Sequence, residues 1–123
     1  MRVIPYVMGF IIAVFSFTAA ARINPAEIEQ WRNTGEADQT YVYYGDTTPQ
    51  DRVVAENKRY AVIRQDAGMS CPAGFFFLAD KGLKTYRAVD SETCDDQDLR
   101  ISLGKNALTF TSQGTKTATY PLP

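Results

Sequence analysis

Two cysteines, Cys71 and Cys94, bracket an apolar run and constrain the fold more than any other feature of the sequence. Between them lie the run at residues 75–79, a turn signal at Asp80-Lys81-Gly82, and a second strand-like run at residues 83–89. The pattern predicts a β-hairpin at the centre of a sheet, tied at its open end by a disulfide. Phe75, Phe76, Phe77 and Leu78 do not alternate with polar residues, so both faces of their strand are expected to be covered. Gly74 before the run, Asp-Lys-Gly after it and the aromatic content favour a strand over a buried helical segment. Gly82 suits the left-handed position of a three-residue hairpin loop. In that register Ala79 pairs with Leu83 and Cys71 faces position 91, so the bridge to Cys94 calls for a bulge or bend in residues 90–93. Pro72 cannot donate to a ladder, which puts the Cys71 end at an edge or outside the strand.

Compartment follows from the first residues. Met1 and Arg2 give a positive start, residues 3–17 are apolar apart from Pro5, Gly9 and Ser16, and Thr18-Ala19-Ala20-Ala21 supplies small residues for cleavage after Ala21. This is the three-part pattern of a secretory signal peptide. The block is short for a span of about 20 residues, and no cysteine follows it to carry a lipid, so no stable membrane anchor is expected after cleavage. The division expected is residues 1–21 as signal peptide and 22–123 as a single β-rich domain, periplasmic or secreted. Two cysteines in an exported chain read as one structural disulfide. Closing a loop of this length stabilises by about 3 kcal/mol in the chain-entropy model.

Removing residues 1–21 takes one of the 13 basic groups, Arg2, and none of the 14 acidic ones, leaving 102 residues with net charge −2. Such weak acidity, with charges well mixed, argues against a nucleic-acid binder, which would carry a basic face.

Asn24-Pro25-Ala26-Glu27 is a helix start: Asn24 as N-cap, Pro25 in the first turn, Glu27 at the capping-box position. Ile23 and Ile28 can form a hydrophobic staple, Ile28 and Trp31 share a face, and Gly35 is a plausible stop. The prediction is one short amphipathic helix near 25–34. It is too short to stand alone, so Trp31 docks either on its own sheet or on a partner. Beyond it, residues 41–44 are β-prone, Val53-Val54 is a weak strand signal, and residues 59–65 are a strand. Leu99, Ile101 and Leu103 alternate with polar residues, as do Leu108 and Phe110. A further strand covers residues 116–120, and Pro121 and Pro123 suggest a solvent-exposed tail. Turns every 8 to 12 residues define the class: all-β, a small antiparallel meander forming a sandwich or small barrel, with one short N-terminal helix.

The available chemistry is narrow. The chain has no histidine, which removes the Ser-His and Cys-His nucleophile arrangements and the ordinary zinc sets. Its glycines lie singly, so no phosphate-cradling loop is present, and neither a cofactor nor a metal is expected. Asp90, Glu92, Asp95, Asp96 and Asp98 fall within nine residues without an intervening basic side chain. A calcium loop would need a glycine and a terminal glutamate in register, and both are missing. The readings left are a solvated loop or a docking surface for a basic partner. The many tyrosines serve equally as cross-strand pairs or as interface residues. In size, export, single disulfide and all-β pattern the chain resembles small periplasmic inhibitors and toxin-immunity proteins as a class. The S-G-x-x-Y motif of one lysozyme-inhibitor family is missing, so no residue roles carry over. The expectation is a non-enzymatic exported binding module acting by protein–protein contact through the five acids and Trp31. The alternative is a structural or accessory part of an envelope or secretion assembly.

Overall fold

The computed structural model describes residues 23–43, 51–66 and 68–123; the segment expected to be a signal peptide and Tyr44 lie outside these. The described residues form an all-β protein of two sheets. The larger sheet contains β1 (Arg32–Asn33), β2 (Arg52–Glu56), β3 (Tyr60–Gln65), β4 (Phe75–Asp80) and β5 (Thr85–Val89), in the order β1-β5-β4-β3-β2. The smaller is the meander β6 (Leu99–Leu103), β7 (Ala107–Ser112) and β8 (Thr115–Pro121). All pairings are antiparallel except β1 with β5.

β4 is the middle strand of the larger sheet, and its unbroken apolar sequence has the expected cause. Successive side chains leave opposite faces. Phe76 and Leu78 enter a core shared with Tyr60, Val62 and Val89, with Leu108, Phe110 and Ala118 from the smaller sheet, and with Leu122 just beyond it. Phe77 and Ala79 enter a second core with Ala61, Ile63 and Tyr86, covered by Ile28 and Tyr41 of the N-terminal segment. Phe76 and Phe110 meet across the sandwich with ring centroids 5.1 Å apart. On the other face Tyr41 sets its ring edge-on to Phe77 at 5.1 Å.

The hairpin register differs from the expected one. Asp80 pairs with Thr85 and Phe76 with Val89, so the loop is the four residues 81–84 and its left-handed residue is Lys84, φ 56°, rather than Gly82. Asp80 causes this. Its Oδ1 accepts from the amides of Gly82 (2.9 Å) and Leu83 (3.1 Å), winding the chain into a turn around the carboxylate. Extending the observed register brings positions 71 and 94 opposite one another, and the disulfide joins them with Cα atoms 4.6 Å apart. The expected bend in residues 90–93 is present, with Glu92 at φ 61°. Pro72 lies outside β4, and Gly74, at φ 91°, leads the chain in. A Cβ at Gly74 would meet the Gln65 carbonyl at 2.9 Å, so the position excludes a side chain on both counts.

The N-terminal helix is shorter than expected. It is a 3-10 helix, Pro25–Gln30, with the predicted caps: Asn24 Oδ1 accepts from the Ala26 amide and Glu27 Oε2 from the Asn24 amide, each at 3.0 Å. Trp31 is already extended, because the Arg32 amide is drawn to the Lys84 carbonyl at 3.2 Å as β1 joins β5. Gly35 therefore ends no helix. Tyr41 to Tyr43 form no strand. The Tyr41 amide donates to Tyr86 Oη (2.9 Å) and the Val42 carbonyl accepts from Gln65 Nε2 (2.7 Å), so side chains take the place of a ladder. The tail is not solvent-exposed as a whole. Leu122 is buried in the sandwich core, its amide donates to the Asn106 carbonyl, and the Pro123 oxygen accepts from Tyr60 Oη at 3.1 Å.

Candidate functional site

At the open end of the β4–β5 hairpin, beside the disulfide, the surface folds in to a cleft of about 850 Å³. Its apolar lining comes from Phe75, Phe77, Ala88 and Val89, its rims from residues 38–40 and 90–94, and Tyr120 closes one side. The volume falls within the range of binding pockets, roughly 300–1,000 Å³. Phe75 is the first residue of β4, where the covering layer has ended, and it stands 56% exposed. A large aromatic left this open beside a concavity is unlike the rest of β4, which is buried throughout.

The rim on the β5 side is held firmly. Tyr120 Oη accepts from the Asp90 amide and donates to the Asp90 carbonyl, both at 2.7 Å. Asp90 Oδ1 accepts from the Glu92 amide at 2.7 Å, and Ser91, 3% exposed, donates its hydroxyl to the Thr93 carbonyl at 2.9 Å. Cys94 is fixed by the disulfide and, through its carbonyl, by the Ala73 amide at 3.1 Å. The partner cysteine's loop is fixed in turn by Arg64, which donates to the carbonyls of Ala73 (2.8 Å) and Pro72 (2.7 Å). Cys71 is half-buried and Cys94 exposed, so the bridge is a wall of the cleft rather than part of a core.

Charge in the lining is of one sign. Asp38, Asp90 and Glu92 contribute carboxylates, and the described lining holds no lysine or arginine. Two cations flank it: Arg87, stacked on the Tyr120 ring with Cζ 5.5 Å from its centroid, and Arg64, whose Nε lies 2.9 Å from where a Cβ on Gly74 would stand.

The five acids are not one patch. Asp90 and Glu92 belong to the cleft. Asp95 turns toward the β7–β8 hairpin, where Oδ2 accepts from Gln113 Nε2 at 2.9 Å and Oδ1 from the Gln97 amide at 2.9 Å. Asp98 adopts φ 53° and pairs with Arg100 at 3.1 Å, so a basic group absent from the run in sequence reaches it in space. Asp96 is exposed between them. Among the described residues, no three acidic or thiol groups come together in a metal-holding arrangement.

Trp31 lies apart from the acids, at the Thr85 end of β5, and packs against the second core with Lys84 Nζ 5.2 Å from its ring. Sequence reasoning missed Phe75, Tyr120 and Asp38. The asymmetry of the Phe-Phe-Phe run, whose first member lies next to a glycine, was the one signal available for Phe75. Tyr120 and Asp38 meet the cleft only through tertiary folding.

The fold and site define a disulfide-tied, two-sheet β protein with a rigid, acid-rimmed cleft. Compared with protein-family models, curated proteins and solved structures, the chain gives no significant match.

Proposed function

We propose that this protein is a non-enzymatic periplasmic binding module of the inhibitor or immunity type, acting by contact with another exported protein. The observation that supports it is the cleft: an exposed aromatic and three carboxylates, with no lysine or arginine in the described lining, on a frame fixed by a disulfide and paired tyrosine hydrogen bonds. Frames of this kind favour tight contact because little freedom is lost on binding. The single disulfide suits an oxidising compartment, and the signal-like first residues supply the route to it.

The test uses immobilised exported protein, periplasmic extract of the source cell, and the variant Phe75→Ser/Asp90→Asn/Glu92→Gln. The expected result is a discrete protein retained by the parent, lost with the variant, and rebinding in purified form. Retention of nothing, or of the same proteins by both, overturns the proposal.

A further inference from the structure

We infer that the cleft is a receptor for an extended segment of the partner that presents an arginine or lysine side chain. The inference deepens the binding role proposed above and depends on it. Three features define the occupant. The first is charge. Asp90 has one oxygen committed to the Glu92 amide, which leaves the other, with the Glu92 and Asp38 carboxylates, to face a cation.

The second is the apolar floor. Phe75, 56% exposed, and the half-buried Ala88 share one face of the sheet and offer carbon surface in the same lining as those acids. A basic side chain has the matching form, an aliphatic stem that packs on apolar surface and a charged head that stays at the rim. A cation against the Phe75 ring gains quadrupole attraction as well.

The third is the edge of β5. The Tyr86 carbonyl points away from β4, since it accepts from the Thr34 amide at 2.8 Å. Backbone groups two residues apart share a direction in a strand, so Ala88 turns its N–H and C=O to the same side. β1 pairs only with Thr85 and Tyr86, and among the described residues no backbone partner meets Ala88 on that side. A passing extended chain finds there one donor and one acceptor, the beginning of strand addition. The cleft volume, too large for a lone side chain, suits such a run of backbone with its side chain.

The test is a titration of the full exported protein, labelled with nitrogen-15, with the blocked tetrapeptide acetyl-Ala-Arg-Ala-Ala-amide and its citrulline analogue. The citrulline side chain keeps the shape and removes the charge. The expected result is saturable shifts at Phe75, Ala88 and residues 90–93, with the citrulline peptide bound about tenfold more weakly, as the loss of a charge-assisted contact implies. Asp90→Asn/Glu92→Gln should weaken the arginine peptide by about tenfold as well. It preserves the fold because an asparagine at position 90 still offers an oxygen to the backbone amide of position 92. Asp95→Asn/Asp96→Asn/Asp98→Asn should leave binding unchanged. Equal binding of the two peptides, or shifts centred on residues 95–98, overturns the inference. A captured partner that needs Asp90 and Glu92 while the arginine peptide leaves the spectrum unmoved also overturns it, and in that case the binding role survives.

Discussion

Replacing Asp80 tests the account of the central hairpin most directly. Asp80 is 8% exposed, and its carboxylate does two things. Oδ1 accepts from the Gly82 and Leu83 amides, which sets the four-residue loop. Both oxygens meet Arg59, at 3.4 and 3.0 Å. Burial by itself would raise the carboxyl's pKa. The hydrogen bond from Arg59, the Leu83 amide, the Arg59 charge and the Gly82 amide together outweigh it and hold the pKa below its ordinary value. In Asp80→Ala the two turn amides lose their acceptor, a loss like that of a helix N-cap, so unfolding free energy should fall by about 1–2 kcal/mol. For a domain of this size that lowers the melting temperature by roughly 5–15 °C. The guanidinium is 43% exposed, so the ion pair adds little to the figure.

Asp80→Asn keeps an oxygen for the amides and loses only the charge, so it should cost less than Asp80→Ala. A carboxyl with a depressed folded pKa stabilises above its unfolded value, about 3.9, and the contribution is lost as pH falls through the lower folded value. The gap between parent and Asp80→Asn should therefore be full at neutral pH and close below about pH 4. Denaturant melts of the three proteins at pH 7 and through the acid range provide the assay. Equal stability of Asp80→Ala and parent, or a parent–variant gap for Asp80→Asn that stays constant down to pH 2, would refute the reasoning.

Tyr41 is 2% exposed and donates to Asp51 Oδ2 at 2.5 Å. Burial, that hydrogen bond and the Asp51 charge, in that order, push its hydroxyl far above the ordinary tyrosine value. Its contribution is full below about pH 10 and is lost as pH rises beyond it. Tyr41→Phe should therefore cost about 0.5–1.5 kcal/mol at neutral pH, and phenolate absorbance of the folded parent should lack one tyrosine until alkali unfolds it; full titration while folded would count against this. Cys71→Ser/Cys94→Ser should lower stability by about 2–5 kcal/mol while the folded fraction keeps its strand circular dichroism, and an unchanged denaturant midpoint would contradict that. Intact mass of the exported protein should match a start at Arg22 with no alkylatable thiol, and a retained N-terminal segment would remove the basis for export. With a partner in hand, Asp95→Asn/Asp96→Asn/Asp98→Asn should leave the association rate and its salt dependence as in the parent, because these acids lie outside the cleft lining, whereas slowed association with a flattened salt dependence would bring them into the binding surface.

What could be read from the sequence was what local rules govern. The alternation in β6 and β7, the buried character of β4 and the cap at Asn24 depend on neighbours a few residues away. All appear in the structure. The hairpin register differs by three residues from the one the sequence suggests because a side chain, Asp80, reshapes the loop, and the glycine at position 82 is the more conspicuous turn signal. Residues 41–43 have strand propensity, yet their backbone groups go to Tyr86 and Gln65, partners distant in sequence. Pro121 suggested an exposed tail, but Leu122 finds a place in the core only once β8 lies against β7. The site divided along the same line. Acids adjacent in sequence point in different directions, and the residues that complete the cleft come from 38, 75 and 120.

The disulfide closes over a separation of 23 residues, whereas the Tyr60 hydroxyl reaches the Pro123 oxygen across 63. These are two very different searches for one chain. Hairpin and cysteines meet by local motion, but the Tyr60–Pro123 contact forms only once the last residues of the chain are in place. A bond between residues 71 and 94 provides a shortcut, reducing the covalent path from 60 to 123 to roughly 40 residues. Because closure entropy grows only with the logarithm of length, that saving is roughly 0.4 kcal/mol. The cross-link therefore acts mainly on the hairpin it ties and its adjoining cleft, and scarcely at all on the long-range contact that seals the sandwich.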